Sequence, residues 1–196
     1  MNRTSYQFQP ESISEFKTQL LFWAQQYKTA IWLDSNNYQQ KYSNFDAVLA
    51  VDAISEIETD YNNAFYKLKE FQTNVNDYIF GYLSYDLKND VENLQSNNFD
   101  GLHFPDLYFF QPKKLYLLKG NQVEIQYLNC VDDELEADLN TIKNIKEEQS
   151  DSLCSDIKIK LRIHKDEYFD KVNTMLTHIH RGDIYEANFC MEFYAE

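Results

Sequence analysis

Glycine and proline are scarce in this chain of 196 residues, which contains only four glycines and three prolines. Disordered segments are typically rich in these residues and poor in aromatic ones. This chain is poor in glycine and proline and also contains 15 tyrosines and 14 phenylalanines, so the composition predicts a folded, aromatic-rich core. A chain of this length can form one domain, or one domain and part of a second.

Basic side chains are also few, with 18 Lys and Arg against 32 Asp and Glu and a formal net charge of -14. Such a surface repels the phosphate backbone of DNA or RNA, which excludes nucleic acid as a partner. We interpret the acidity simply as a contribution to solubility.

Cysteine contributes only Cys130, Cys154 and Cys190, and no two of them have CxxC spacing. This odd number predicts reduced thiols rather than a disulfide framework or a zinc site. The N-terminus has no apolar signal core, and no apolar run approaches the roughly 20 residues of a membrane span. We therefore expect a cytoplasmic protein without a membrane partner.

Several motifs that carry chemistry are missing from the chain. It has no P-loop, GxGxxG, HExxH or GxSxG sequence, which removes the sequence signals for nucleotide binding, zinc proteolysis and serine hydrolysis. His178 and His180 are two residues apart, and on a helix they diverge by about 200°. A shared metal site at this pair is therefore not expected.

The apolar residues recur at both helical and strand periods, which predicts an α+β fold of antiparallel sheets packed with flanking helices. Gly81, inside an apolar run, indicates a bulge or a close approach of another backbone. We predict helices at about 13–27, 61–74, 87–94, 134–148 and 166–181. We predict strands at about 30–33, 45–51, 78–83, 106–110, 115–118, 123–128, 157–163 and 183–193.

Residues 149–156 break every period, and we predict that they link a domain of residues 1–148 to a second unit of residues 157–196. The last predicted strand ends close to the end of the chain, so we expect the second unit to be truncated at its C-terminus. On this strand Glu186 and Asn188 point to the same side. They line either a ligand cavity or the solvated face of an edge strand.

The sequence RGDIYEANF at residues 181–189 resembles a signature of the chorismate-utilising enzymes, whose usual pattern is GDIYQVNL. Glu186 stands where that pattern has glutamine, and Ala187 stands where it has valine. The sequence FGYLSYDL at residues 80–87 is similar to the GYxSYDL strand of the same family. The resemblance extends over essentially the whole chain, but over only a little under half of a family protein.

Two further segments resemble the part of the family that holds a tryptophan molecule in several members. They are LDS at residues 33–35 and YSNFD at residues 42–46. The resemblance implies that the tryptophan-contacting residues here are Ser35, Tyr42, Ser43, Asn44 and Phe45. The YSNFD segment is closer to the aminodeoxychorismate synthase branch of the family than to the anthranilate synthase branch.

The resemblance implies a function for the full-length protein. Mg²⁺ would hold chorismate, a glutamine amidotransferase subunit would supply ammonia, and an amino group would replace the 4-hydroxyl. Residues 1–148 would be the N-terminal domain, and residues 157–196 would begin the chorismate-binding catalytic domain. The catalytic and metal-binding residues would then lie beyond Glu196, with none in this chain, and the chain alone would be inactive. The alternatives are an anthranilate synthase component and a stand-alone module that binds an amino acid or docks a glutaminase.

Overall fold

A six-stranded antiparallel sheet organises the larger of two units, Met1–Glu147, within the residues that the computed structural model describes: 2–38, 41–97, 99–146 and 157–195. The strands of this sheet are β1 (Arg3–Phe8), β2 (Ala30–Asp34), β3 (Ala47–Thr59), β4 (Phe80–Leu83), β5 (Leu107–Lys119) and β6 (Gln122–Leu128). The order is β1-β6-β5-β3-β2, and β4 also pairs with β5. The helices of this unit are α1 (Ile13–Ala24), α2 (Ala64–Val75), α3 (Lys88–Val91) and α4 (Leu135–Asn144).

The long strand β5 lies in the middle of the sheet and pairs with three other strands. It pairs with β3 from Leu107 to Leu118, whereas its other edge is shared between β4 and β6. The sequence predicts separate strands at 106–110 and 115–118, and the structure shows one continuous strand. Proline usually interrupts a ladder because it has no N–H to donate, yet β5 continues through Pro112. Here it lies between the segments that pair with β4 and β6, opposite an irregularity in β3, where a missing N–H costs least.

One face of the sheet is covered by α1 and α4. Phe16, Leu20 and Trp23 of α1 and Ile142 of α4 are buried against the sheet around Tyr116. Each large apolar side chain buried in this way contributes about 1.5–3 kcal/mol. The predicted first helix is confirmed, although it ends at Ala24, and its start is fixed by the Glu15 N–H, which donates to Ser12 Oγ. The predicted combination of an antiparallel sheet and packed helices is thus found.

Gly81 lies on β4 directly opposite Phe109 of β5. A Cβ added at Gly81 would lie 1.9 Å from the carbonyl oxygen of Tyr108. The glycine predicted to mark a close backbone approach therefore does so. The turn between β5 and β6 is also confirmed as a hairpin, with Gly120 in the left-handed region at φ 55°.

The smaller unit, Glu148–Glu196, is described over residues 157–195. It contains α5 (Lys165–Arg181) and the short pair β7 (Lys160–Leu161) and β8 (Phe193–Tyr194). None of the described residues of this unit is buried. The predicted linker at 149–156 lies outside the described residues, and the assignment of the two units as named domains stays a prediction.

The predicted strand at 183–193 is wrong except at its last residue, Phe193. Alternating side chains stabilise a strand only where a neighbouring strand accepts its backbone hydrogen bonds. Among the described residues, only Lys160–Leu161 pairs with this part of the chain. The predicted strand at 157–163 is shortened to two residues for the same reason. The helix between them is confirmed, and Gly182 ends it at φ 86°.

Candidate functional site

The LDS and YSNFD segments meet where β2 ends and β3 begins. The Ser35 N–H donates to the carbonyl oxygen of Asp46 at 2.8 Å, and the Asp46 N–H donates to the carbonyl oxygen of Leu118 at 2.8 Å. The Asp46 carboxylate also accepts from the Gly120 N–H at 2.6 Å. Asp46 therefore ties both segments to the end of β5 and to the hairpin that follows it.

A cleft of about 710 Å³ opens beside this junction. Its size lies within the range of about 300–1,000 Å³ that is typical of small-molecule sites. Its polar and aromatic lining includes Ser35, Ser43, Tyr38, Lys17, Lys41 and Lys119. We call this feature the motif cleft.

The motif cleft concentrates positive charge in an acidic protein. Lys17 Nζ lies 2.9 Å from Asp34 Oδ2, and the two side chains are 22% and 16% exposed. Partial burial opposes ionisation of the Asp34 carboxyl, but hydrogen bonds from Lys17 and from the Asn36 N–H outweigh it and lower its pKa. Asp34 therefore stays ionised and balances Lys17. Lys41 and Lys119 then supply two positive charges against Asp46 in the lining, an arrangement that favours a carboxylate-bearing ligand.

The structure brings together two of the five residues predicted to contact tryptophan. Ser35 and Ser43 both line the motif cleft. Tyr42 is 86% exposed, with Lys41 Nζ 5.5 Å from its ring centroid, and Asn44 is exposed as well. Phe45 is half-buried and packs against a core cluster of the sheet that contains Val48, Ala50, Phe110, Leu115 and Leu117. Tryptophan binding by the five residues stays a prediction.

The three lysines of the motif cleft were not predicted from the sequence. Lys17 comes from α1 and follows the core residue Phe16, so its position in the chain gives no hint of contact with β2. Lys119 belongs to a hairpin that the sequence predicts, but only the pairing of β3 with β5 places it beside Ser43. Of the three, only Lys41 could have been predicted from the sequence, because it immediately precedes the YSNFD segment.

The RGD part of the family signature forms the end of α5. The Gly182 N–H donates to Ile179 O and the Asp183 N–H to His178 O, both at 3.0 Å, which is a Schellman cap. Asp183 Oδ2 also lies 2.8 Å from His178 Nδ1 and accepts from Arg181 Nε at 2.7 Å. These contacts lower the pKa of the Asp183 carboxyl, with the Arg181 bond as the largest cause.

Glu186 and Asn188 follow this cap and are both exposed. Because no strand forms over residues 184–191, the reasoning that places them on the same side of a strand is not supported. Their role in lining a cavity stays a prediction.

Two classes of feature are not found among the described residues. No group of three or more His, Cys, Asp or Glu side chains comes together there in a way that could hold a metal ion. Within the same residues, no helix is both long enough and apolar enough to cross a membrane.

Comparison with known proteins finds a relative and a family model that match this chain. Over 123 residues the chain is 27% identical to an anthranilate synthase component I-like protein of Synechocystis sp., which covers 59% of this chain and 24% of that protein. The chain thus spans about a quarter of the length of this relative. Residues 20–196 match the family model described as chorismate binding enzyme. Since this match takes in most of the chain and both motif regions, the chain belongs to the chorismate binding enzyme family.

Proposed function

We propose that this chain is the N-terminal part of an aminodeoxychorismate synthase component I. In this reaction ammonia replaces the 4-hydroxyl of chorismate, giving 4-amino-4-deoxychorismate and water. Family membership supports chorismate as the substrate. The YSNFD segment at residues 42–46 supports the choice of branch, through the resemblance already described.

One observation supports an effector-binding role for this chain within the enzyme. The hydrogen bond from the Ser35 N–H to Asp46 O holds the LDS and YSNFD segments together beside the motif cleft. We assign this cleft as the effector site for tryptophan. Lys41 and Lys119 would bind the carboxylate, and the hydroxyls of Ser35 and Ser43 would hydrogen-bond the polar end of the ligand.

The remaining components of the reaction are part of the proposal. Mg²⁺ would be held by residues of the full-length protein outside residues 1–196. A glutamine amidotransferase subunit would supply ammonia. In this proposal the described residues provide a framework and an effector cleft, whereas the reacting atoms are handled elsewhere.

An anthranilate synthase component I is the second candidate. The specific observation in its favour is the 27% identity to the anthranilate synthase component I-like protein of Synechocystis sp.. The two candidates share substrate, ammonia source and metal, but they differ in the ring position of the new nitrogen. Turnover of chorismate by the full-length protein separates them, because the products are 4-amino-4-deoxychorismate and anthranilate. No turnover by a full-length protein that is folded and supplied with Mg²⁺ and ammonia would contradict both.

Calorimetry with tryptophan tests the effector site separately. We expect full-length protein to bind tryptophan and the Lys41→Ala variant to bind it about tenfold more weakly, since it lacks one charge-assisted contact. Lys69→Ala on α2 is the matched control, because it removes an exposed lysine outside the cleft, and it should bind as the unchanged protein does. Equal affinity in Lys41→Ala and the unchanged protein would contradict the assignment of the cleft.

A further inference from the structure

A second cavity, of about 420 Å³, lies toward the opposite ends of β3 and β5 from the motif cleft. Its lining includes Tyr108 of β5, ten residues before the Leu118 that lines the motif cleft. At about 3.3 Å per residue, Tyr108 and Leu118 are roughly 30 Å apart along β5. The two linings are closer along β2, where Ile31 lines this cavity and Ser35, directly after the strand, lines the motif cleft. We call the second cavity the aromatic cavity.

The strand register builds the aromatic cavity from two parallel rows of side chains. Glu58 of β3 pairs with Tyr108 of β5, which pairs with Tyr82 of β4; one step along, Glu56 pairs with Phe110. Since directly paired residues, and residues two apart on one strand, share a face of the sheet, these five side chains share one face. Each row therefore begins with a carboxylate and continues with aromatic rings.

The rings stand close enough to form a continuous surface. The ring centroids of Tyr82 and Tyr108 are 6.1 Å apart, and those of Tyr108 and Phe110 are 6.2 Å apart. Phe104, from the loop before β5, adds a T-shaped contact with Tyr82 at 6.1 Å. Ring faces carry negative potential and attract cations within about 6 Å.

Carboxylates reinforce this preference at the edge of the rings. The Tyr108 hydroxyl donates to Glu56 Oε2 at 2.8 Å, which orients that carboxylate. Burial, followed by the charges of Glu58 and Asp106, raises the pKa of the Tyr82 phenol, so the phenol stays neutral. Lys28 is the one basic residue in the lining; with Glu56 and Glu58 it leaves a formal charge of -1.

We propose that the aromatic cavity binds a small organic cation, an ammonium group carried on an aromatic or apolar body. The ammonium would lie between Glu58 and Glu56 and over the rings of Tyr108 and Tyr82, and the apolar body would pack against Phe104. Because Lys28 offsets one carboxylate, the expected affinity is modest. The inference rests on the β3–β5–β4 register and does not depend on the proposed function.

Three ligands of nearly equal shape test the charge preference: phenethylamine, 2-phenylethanol and 3-phenylpropionate, titrated into the chain and followed by NMR. We expect phenethylamine to shift the Tyr82 and Tyr108 signals saturably and to bind about tenfold or more tightly than the neutral alcohol, in line with one cation–π contact and one ion pair. The anion should bind weakest. Equal binding of amine and alcohol, or no saturable binding of the amine, would overturn the proposal.

A double variant then tests the carboxylates. Glu56→Gln/Glu58→Gln should lose the preference for the amine over the alcohol while keeping a folded far-UV spectrum. Glu70→Gln, which removes an exposed carboxylate of α2 outside the cavity, is the matched control and should keep the preference. If the double variant keeps the full preference, the carboxylates have no part and the proposal fails. If the double variant does not fold, the three ligands on the unchanged protein decide the question.

Discussion

Arg3 and Asp77 form a buried ion pair at the edge of β5 where its neighbour changes from β6 to β4. Arg3 Nη2 lies 2.8 Å from Asp77 Oδ2, and the side chains are 7% and 8% exposed. The guanidinium also donates to Pro112 O at 2.7 Å and to Gln126 O at 3.2 Å. Arg3 therefore links Asp77 to backbone carbonyl oxygens of both β5 and β6.

Removal of the carboxylate should destabilise the larger unit strongly. Asp77→Ala leaves the buried Arg3 charge without its counterion, and losing one partner of such a pair costs about 3–5 kcal/mol. Chemical denaturation of the two proteins measures the difference. Asp60→Asn is the control. The Asp60 carboxylate is exposed and lies 3.9 Å from Lys67 Nζ, a long distance for an ion pair, so this variant should change stability little. A similar small effect of Asp77→Ala would contradict the structural role of the pair.

The same carboxyl should make stability depend on pH in the acid range. Burial opposes its ionisation, but hydrogen bonds from Arg3 and Gln111 outweigh it, so its pKa is below the ordinary value of 3.8. A lowered pKa in the folded state stabilises the fold above the ordinary value, and that stability is lost as the pH falls through the folded pKa. Unfolding free energies measured from pH 6 to pH 2 should fall more steeply for the unchanged protein than for Asp77→Asn. Parallel curves would contradict the shift.

The buried ion pairs of Lys114 should also contribute strongly to the stability of the larger unit. Its side chain is 2% exposed, and Nζ lies 2.5 Å from Asp138 Oδ2 and 2.6 Å from Glu134 Oε2. Burial lowers the pKa of this amine, but the bonds from Asp138 and Glu134 outweigh it and raise the pKa, so the amine stays charged throughout the neutral range. Tyr127 donates to the same Asp138 oxygen at 2.8 Å, which extends the network under α4.

We predict that Lys114→Met costs about 3 kcal/mol of unfolding free energy, because Asp138 loses its buried counterion. The double variant Lys114→Met/Asp138→Asn should cost less than the sum of the two single variants, with a coupling of about 1–3 kcal/mol. Lys171→Met, at a surface pair 3.4 Å from Glu167, is the control and should change little. Strict additivity of the two single variants would show that Lys114 and Asp138 do not act together.

Gly81 should tolerate no side chain. Alanine there would place Cβ 1.9 Å from Tyr108 O and 2.6 Å from Phe109 Cα, both backbone atoms that cannot rotate away. We expect Gly81→Ala to cost about 3 kcal/mol or to separate β4 from β5, as overpacking does elsewhere. Thermal unfolding followed by circular dichroism measures this. Gly101→Ala should be mild, since its Cβ would meet only the movable ring of Phe99. Equal effects at both sites would contradict the close approach at Gly81.

Local patterns in the sequence were good predictors wherever the interaction that stabilises an element lies nearby. The start of α1 at Ser12, the glycine cap of α5 and the β5–β6 hairpin all depend on neighbours within a few residues. The predicted strand at 183–193 was wrong because a strand needs a distant partner, which alternation of side chains does not reveal. The continuity of β5 through Pro112 likewise depends on which strands lie beside it.

The residues of the candidate site also fall into two groups: those that a local sequence pattern can predict and those that only distant packing brings to the site. Ser35 and Ser43 belong to short motifs that can be recognised from sequence, and the structure places both on one cleft. Lys17 and Lys119 reach that cleft only through the packing of α1 and the pairing of β3 with β5, so no local signal identifies them. Phe45, in contrast, sits within a recognisable motif yet packs into the core, because its environment is set by the sheet.

The most direct test of the proposed function is the position of the new nitrogen in the product. Full-length protein carrying this chain is incubated with chorismate, Mg²⁺ and ¹⁵N-labelled ammonia, and the products are separated and identified by mass spectrometry and NMR. We expect label on ring carbon 4, as 4-amino-4-deoxychorismate, and none when Mg²⁺ is chelated. Label found only in anthranilate, on ring carbon 2, would contradict the account.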